Sequence, residues 1–425
     1  MHIIQAPLFD FEAFITTRSN DRLTIVLEAL PAEKLILALV REHWTGRKGH
    51  SVRGMWSALI AGVLYDCHSI VEVARLLERD KDVRMVCGFS KGELPGEDAL
   101  ERFLGKLVRH EQLLEECFTG LVERLRQLLP GFGSKLAVDS TDIKAYSNGH
   151  RKNRSDSDAR WGARGAGHHA GPKTASGEVS SAEGVKERKK RDLYWWFGYK
   201  LHLVVDALYE LPVSFIITPA NEADTSQMKA LLKKAVGDES KVRLQAVIAD
   251  KGYDSQDNCR LIFGDYKAAP IIPIRERDDM QQPDICNAKG TPTCSCGLEM
   301  AFWGRDGNYL KYRCPEAAGK GRCQSRFRCT DSPYGYVLKL PIMADPRRHV
   351  PVPRESKKFK RLYRLRTAIE RVNSRVKELL GLGKITVRGI AKVTVRSLLS
   401  LLVMLAAAVG MAERNRFKEL RVLVM

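Results

Sequence analysis

Two features are missing from this 425-residue sequence: a secretory leader and an apolar run long enough to cross a membrane. The opening residues, MHIIQAPLFDFEAF, have no basic region followed by an apolar core, which excludes a secretory signal there. The most apolar stretch, Leu398 to Met411, is interrupted by Ser400 and is too short to span a bilayer. We therefore expect a buried helix at this stretch, no membrane partner and a cytoplasmic location.

Acidic residues are in short supply. The chain has 51 Asp and Glu against 70 Lys and Arg, a formal net charge of +19. Such an excess favours a polyanionic partner, above all nucleic acid, with an acidic membrane surface as the weaker alternative. A basic but otherwise ordinary surface would give the same count, so charge alone does not assign a function.

The ten cysteines are unevenly spread. Four lie singly in helical patterns, where small core residues are expected. The other six crowd between Cys286 and Cys329, and in a reducing compartment this crowding favours a metal over disulfides. The candidate ligands of a structural zinc ion are Cys294, Cys296, Cys314, Cys323 and Cys329. Their spacing is not a clean pair of CxxC knuckles, so unpaired thiols remain the alternative.

Residues 1 to 130 have the apolar periodicity of several short helices. Ser69 begins one of them as an N-cap, with Glu72 three residues later, which is the arrangement of a capping box. In a basic protein such a region predicts DNA binding or dimerisation. The pattern does not single out a recognition helix.

An acid lies inside a predicted strand. The segment KLAVDSTDIKAY, residues 135 to 146, alternates like a β-strand and places Asp139 in its middle. A carboxylate within an apolar strand is costly unless it is paired or bound to a metal. Asp139 is therefore a candidate metal ligand, and a lysine-paired acid near a strand end is the alternative.

A second acid follows another predicted strand. Asp250 ends the apolar run LQAVIA, and acids just past buried strands are common catalytic groups in α/β sheets. The elements predicted between the two acids are the strands Leu193 to Asp206 and Leu211 to Thr218 and a helix, Thr225 to Val236, capped by Asp224.

Residues 147 to 192 have the composition of a long polar loop, rich in Gly, Ser, Arg, Lys and His. The segment ends in a basic cluster that includes Lys189, Lys190 and Arg191. Such a cluster can bind phosphates, so we expect these three residues to contact DNA.

The stretch from Leu362 to Leu380 predicts one continuous amphipathic helix with three faces. The buried stripe is Leu365, Ile369, Val372, Val376 and Leu379, and the expected solvated face is Arg364, Arg371 and Arg375. The third face groups Tyr363, Arg366, Glu370 and Lys377, with Asn373 close by. One acid among an aromatic hydroxyl and two cations suits a metal-holding carboxylate beside phosphate-binding groups. A salt-bridged Glu on an ordinary helix is the alternative.

Three acids on three elements can together hold a pair of divalent cations. Asp139, Asp250 and Glu370 would supply hard oxygen ligands, which select Mg²⁺ or Mn²⁺. Two such ions about 4 Å apart activate the attacking oxygen and stabilise the leaving oxygen in phosphodiester cleavage and strand transfer.

At these residues the sequence resembles the DDE transposases of bacterial insertion sequences. Tyr363, Arg366, Glu370 and Lys377 reproduce the spacing of the group's Tyr-x₂-Arg-x₃-Glu-x₆-Lys signature. Three further blocks match in kind: LAVDST, GYKLHLVVD followed by TPANEADT, and VIADKGYDS. The resemblance covers about residues 30 to 410.

The resemblance implies an α/β fold with an RNase H-like mixed-sheet core, an N-terminal helical domain and a Cys-rich, zinc-ribbon-like insertion. The expected domains are residues 1–130 for DNA binding or dimerisation, 131–277 for the first part of the core, 278–345 for the insertion and 346–425 for the C-terminal helices. Asp139, Asp250 and Glu370 would be the metal-binding triad. Tyr363, Arg366, Asn373 and Lys377 would be DNA contacts.

The activity implied is transposition in the bacterial nucleoid. The protein would bind the terminal inverted repeats of its own element as a homodimer or higher assembly, cut double-stranded DNA and join the 3′-hydroxyl to target DNA. Two alternatives remain open from the residues: an RNase H-like nuclease without strand transfer, and a DNA-binding regulator whose catalytic core has decayed.

Overall fold

The computed structural model describes residues 22–42, 49–165, 193–237, 242–275, 286–287, 290–323, 329–342 and 344–421. The opening segment and three predicted DNA-binding residues, Lys189, Lys190 and Arg191, lie outside the described residues.

A mixed six-stranded sheet carries the two predicted strand acids. Its strands are β1 (Lys135–Lys144), β2 (Arg160–Gly165), β3 (Leu193–Asp206), β4 (Pro212–Pro219), β5 (Ala246–Ala249) and β6 (Ala269–Ile271). The first strand, β1, lies between an antiparallel neighbour, β3, and a parallel neighbour, β5. Strands β2 and β4 pair antiparallel with β3, and β6 pairs parallel with β5. This mixed α/β arrangement agrees with the RNase H-like core expected from the sequence.

Helices precede and follow the sheet. Those before it are α1 (22–29), α2 (Glu33–Arg41), α3 (Val52–Leu64), α4 (Ile70–Arg79), α5 (Lys81–Val86), α6 (Glu97–Arg109) and α7 (Glu111–Leu128). The later ones are α8 (Asp224–Val236), α9 (Gln256–Arg260), α10 (Lys357–Tyr363), α11 (Thr367–Glu378) and α12 (Ile390–Glu413). One hydrophobic core includes side chains from both groups and from the sheet. The domain boundaries stay predictions of the sequence.

Helix α12 fills the centre of this core. By length and composition alone its 24 residues could cross a membrane, but every residue of its most apolar window is buried inside the fold. Ser400 fits there because its hydroxyl donates to the carbonyl of Leu380 at 2.8 Å. The predicted buried helix is confirmed, and at Ile390–Glu413 it is longer than the apolar stretch Leu398 to Met411.

The predicted polar loop contains a strand, so the loop assignment is wrong for part of its length. Strand β2 pairs with β3 over six residue pairs, from Arg160 opposite Gly198 to Gly165 opposite Leu193. Trp161 packs its ring 5.6 Å from that of Phe197. The local sequence is rich in Gly and Arg, and the edge of β3, a distant partner, supplies the pairing that stabilises the strand.

The predicted single helix at 362–380 is interrupted. Helix α10 begins five residues earlier, at Lys357, and a 3₁₀ turn at Arg364–Arg366 separates it from α11. This turn packs against β1 and β5. No Pro or Gly lies in the turn, so packing on the sheet overrides the local helical preference. The turn carries Arg366 to the strand ends.

A second, three-stranded sheet lies within the Cys-rich region: β7 (Ala301–Asp306), β8 (Tyr309–Arg313) and β9 (Val337–Pro341). A buried carboxylate, Asp254, joins the two ends of this insertion. Its Oδ2 accepts from the backbone N–H of Arg275, before the insertion, at 2.7 Å. The same oxygen accepts from Arg347, after the insertion, at 2.6 and 2.8 Å. Both ends of the insertion are therefore bonded to one residue of the core, Asp254, which lies four residues beyond Asp250.

Candidate active site

The register of the sheet brings two of the predicted acids together. Val138 of β1 pairs with Ala249 of the parallel strand β5. Asp139 and Asp250 are the next residues on these neighbouring strands, so they lie side by side at the point where pairing stops. The sequence placed Asp139 within a strand and Asp250 at a strand end, and both positions are confirmed.

The electrostatics of Asp139 reflect this closeness. Burial, followed by the charge of Asp250, raises the pKa of Asp139 to about 7. The backbone N–H of Ser140, which donates to Asp139 at 2.8 Å, opposes that rise. Burial also raises the pKa of Asp250, although the N–H of Gly252 acts in the other direction. Two desolvated carboxyls that raise each other's energy when ionised form a site where a cation is favoured.

Arg366 supplies a cation at this site. Its Nη1 lies 3.6 Å from Oδ2 of Asp139, and its Nη2 lies 2.5 Å from Oε1 of Glu370. Glu370 is half exposed and reaches the strand acids through this arginine. The guanidinium therefore bridges one carboxylate on the sheet and one on α11.

These residues fit a hard divalent cation, though they do not form a closed coordination sphere. Across the described ranges, no three His, Cys, Asp or Glu side chains converge closely enough to hold a metal ion. The donor set is nevertheless all oxygen, and two of its carboxyls are desolvated next to each other. The residues that could hold Mg²⁺ or Mn²⁺ here are Asp139, Asp250 and Glu370.

The other signature residues have internal partners. Lys377 Nζ lies 2.9 Å from Oδ1 of Asp142, a buried acid on β1. Burial acts to raise the pKa of Asp142, but the charge and hydrogen bond of Lys377 together with the charge of Arg164 lower that pKa. Arg164 of β2 also contacts Asp142, at 3.0 Å. The predicted phosphate-binding lysine thus forms an ion pair with a buried carboxylate.

Tyr363 and Asn373, the other two predicted DNA contacts of this segment, lie in α10 and α11. The Tyr363 ring stacks on Phe359 and lies 5.9 Å from the guanidinium carbon of Arg366. Oδ1 of Asn373 is buried, with no hydrogen-bond partner among the described residues. A buried amide oxygen without a donor is costly, so this atom is available to a ligand or a rearranged neighbour.

Sequence reasoning assigned the wrong role to Asp224. It was expected to cap α8, but the helix has no side-chain cap, and Asp224 lies in its first turn. Its Oδ1 pairs with Lys200 Nζ at 3.0 Å, and His202 Nδ1 lies 3.8 Å away. The charge of Asp224 also raises the pKa of Asp139 and of Asp250. The only signal in the sequence was its place in the block TPANEADT.

The expected solvated arginine face is also wrong in part. Arg371 and Arg375 bind Glu210, a buried acid in the turn between β3 and β4, at 2.7 and 3.3 Å. A turn acid and a helical arginine 161 residues apart give no local signal of their pairing. These contacts fix α11 against the sheet and so fix the position of Glu370.

The cysteines do not assemble a zinc site within the described part of the chain. Sγ of Cys296 lies 3.0 Å from Sγ of Cys323, and Cys329 contacts the hydroxyl of Ser295 at 3.6 Å. Cys286 lies instead beside His349, 3.8 Å from its Nε2. Of the proposed ligands, Cys294 and Cys314 also belong to the described residues. A structural zinc ion stays a prediction of the sequence.

Comparison with known proteins identifies the family. The family model of the transposase DDE domain matches residues 130–406, which is well over half of the chain. No curated protein matches. Among solved structures, a piggyBac transposase synaptic complex with hairpin DNA matches at 10% identity and a TM-score of 0.37, covering 97% of this chain and 78% of that one. A TM-score of this size does not establish a shared fold, so the assignment depends on the domain match. The chain belongs to the DDE transposase family.

Proposed function

We propose that this protein is the transposase of a bacterial insertion sequence. It binds the terminal inverted repeats of its element, cleaves the DNA and transfers the strand to a target. Membership of the DDE family supports DNA transposition in general. The finer proposal depends on one observation: Asp139 and Asp250 lie side by side, and Arg366 of the signature joins Asp139 to Glu370.

The three carboxylates have the role of metal ligands in this proposal. Two divalent ions, Mg²⁺ or Mn²⁺, would supply Lewis-acid chemistry at the scissile phosphate when bound. The signature cations Arg366 and Lys377 would position that phosphate. The burial of Asp139 supports this role, because burial and the charge of Asp250 raise the free energy of its ionised form and a bound cation would lower it.

The signature cations would bind DNA phosphates near the cut. In the structure, Arg366 pairs with Asp139 and Glu370, and Lys377 pairs with Asp142. We infer that Asp139 and Glu370 would hold metal when DNA is bound, and that Arg366 and Lys377 would then bind DNA phosphates in place of their present carboxylate partners. Tyr363 and Asn373, on the same segment, would contact the same strand.

A strand-transfer assay tests the function. The substrate is a duplex that carries the element's own terminal repeat, incubated with a supercoiled target plasmid and Mg²⁺ or Mn²⁺. Joined products made by the wild type and absent with Asp250→Asn are expected. Metal-dependent nicking without joined products would indicate a nuclease. Binding of the repeat without any cleavage would indicate a regulator.

A further inference from the structure

One face of the small β7–β9 sheet is built from aromatic and basic side chains. On β8, Leu310 and Tyr312 are buried and contribute to a separate hydrophobic cluster. The alternate residues Tyr309, Lys311 and Arg313 point the other way, as strand geometry requires. We call this side, which also carries Trp303 and Lys339, the outer face.

A β-bulge in β7 places the Trp303 side chain on the outer face. The register of β7 with β8 shifts between Phe302 and Gly304, so Trp303 is the extra residue of a bulge. Gly304 has φ +152°, which an L side chain rarely adopts. Bulges re-aim a side chain at the cost of ladder pairing, which suggests a use for the ring beyond packing.

The Trp303 ring is exposed and surrounded by cations. It is 44% exposed, and it stacks on Tyr334, itself 56% exposed, with ring centroids 5.8 Å apart. Lys311 Nζ and the Arg313 guanidinium lie 5.3 and 5.6 Å from its centre. Large aromatics exposed beside basic groups are typical of surfaces that contact nucleic acid.

The cations of the outer face also oppose each other. Lys311 of β8 pairs in register with Lys339 of β9, and like charges directly opposite destabilise a sheet. Asp306 relieves part of this repulsion, since it lies 3.1 Å from Lys339. From 290 to 342 the sequence has eight Lys and Arg against four Asp and Glu. An anionic partner would relieve the remaining repulsion.

We propose that the outer face of β7–β9 is a second DNA-binding surface, separate from the catalytic carboxylates. Lys311, Arg313 and Lys339 bind backbone phosphates, and the Trp303–Tyr334 pair packs on the adjoining sugar and base edges. This inference deepens the proposed function, because it assigns part of the substrate DNA to the insertion. Asp254, four residues beyond Asp250, bonds to Arg275 and Arg347 at the two ends of the insertion, so DNA held here would be linked to the segment that follows Asp250.

Salt-dependent binding of a 30-base-pair duplex of arbitrary sequence tests this surface, because phosphate contacts need no specific sequence. Fluorescence anisotropy would give the slope of log Kobs against log salt for the full-length wild type and for Lys311→Gln/Arg313→Gln. Each lost phosphate contact reduces the magnitude of this slope by about 0.9, so the slope of the double variant should be smaller in magnitude by about 1.8. Lys320→Gln, an exposed lysine of the same insertion outside the strands, is the matched control and should leave the slope unchanged.

The aromatic pair has its own variants. Trp303→Ala should weaken duplex binding several-fold, and Trp303→Phe, which keeps an aromatic ring, should retain most of it. Thermal melting would verify that each variant is folded. The proposed surface is wrong if the double variant has the salt slope of the wild type, or if Lys320→Gln reduces the slope as much per lost charge as the double variant does. Either result leaves the proposed transposase function intact. A wild-type protein that binds no duplex at all contradicts both.

Discussion

Arg366 lies between two carboxylates of the candidate triad, 3.6 Å from Asp139 through Nη1 and bonded through Nη2 to Glu370. The arginine therefore supplies positive charge between two carboxylates that we propose as metal ligands. This arrangement explains how two desolvated acids on neighbouring strands coexist with a third on a helix. It also makes the stability of the metal-free protein sensitive to Arg366.

Arg366→Gln should lower the free energy of unfolding of the metal-free protein by about 1–2 kcal/mol, because the charge-assisted hydrogen bond to Glu370 and the ion pair with Asp139 are lost. Added Mn²⁺ should recover more stability in the variant than in the wild type, since the metal no longer competes with an internal cation. Melting temperatures with chelator and with Mn²⁺ would measure both effects. Equal melting temperatures of variant and wild type in chelator would count against the bridge.

The pH dependence of stability should expose Asp139. Its pKa is about 7 in the folded protein, against about 3.9 for an unperturbed Asp. Between these values the folded protein keeps a proton that the unfolded chain releases, so metal-free stability falls as the pH rises from about 4 to 7. Asp139→Asn has no such loss, and its free energy of unfolding at pH 8 should exceed that of the wild type by on the order of 2–4 kcal/mol.

Chemical denaturation of both proteins in chelator, at pH 5 and pH 8, would test this prediction. The Asn side chain can still accept the N–H of Ser140, so the comparison isolates the charge. A variant no more stable than the wild type at pH 8 would mean that Asp139 is ionised at little cost.

Lys377→Ala should weaken binding to the element's ends and reduce the salt slope by about 0.9, because one phosphate contact is lost. Its present partner, Asp142, keeps Arg164 at 3.0 Å, so the fold should survive. Lys418→Ala, an exposed lysine on another segment, serves as the control. Anisotropy titrations over a range of salt concentrations would decide, and a slope equal to that of the wild type would remove Lys377 from the DNA contacts.

Arg347→Ala should lower the free energy of unfolding by about 3–5 kcal/mol, since it leaves the fully buried Asp254 carboxylate without its ion-pair partner. Arg260→Ala breaks an exposed pair with Asp257 at 3.5 Å and should cost less than about 1 kcal/mol. Urea unfolding would give both values. Similar small losses in the two variants would show that Asp254 does not depend on Arg347 to hold the ends of the insertion.

The sequence predicted those parts of the site that depend on local pattern. Asp139 and Asp250 were found because apolar strands surround or precede them, and Glu370 because its helix groups it with Tyr363 and Arg366. Partnerships across the fold had no such signal. The pairing of Lys377 with Asp142 joins residues 235 positions apart, and it requires α11 to lie against β1.

Two local rules also misled the prediction. Asp224 precedes a helical pattern, as an N-cap would, but Lys200 on β3 draws its carboxylate into an ion pair. Strand β2 has the composition of a loop, but pairing with β3 determines its conformation. In both cases a contact made by the tertiary structure outweighs a weak local preference.

The measurement that tests the account most directly is Mn²⁺ binding, followed by electron paramagnetic resonance, to the full-length protein and to single variants. Asp139→Asn, Asp250→Asn and Glu370→Gln should each bind Mn²⁺ at least tenfold more weakly than the wild type. Asp142→Asn, which alters an acid of the same strand that pairs with Lys377, should bind as the wild type does. Wild-type Mn²⁺ binding in the three triad variants would contradict the assignment of these carboxylates as the metal site.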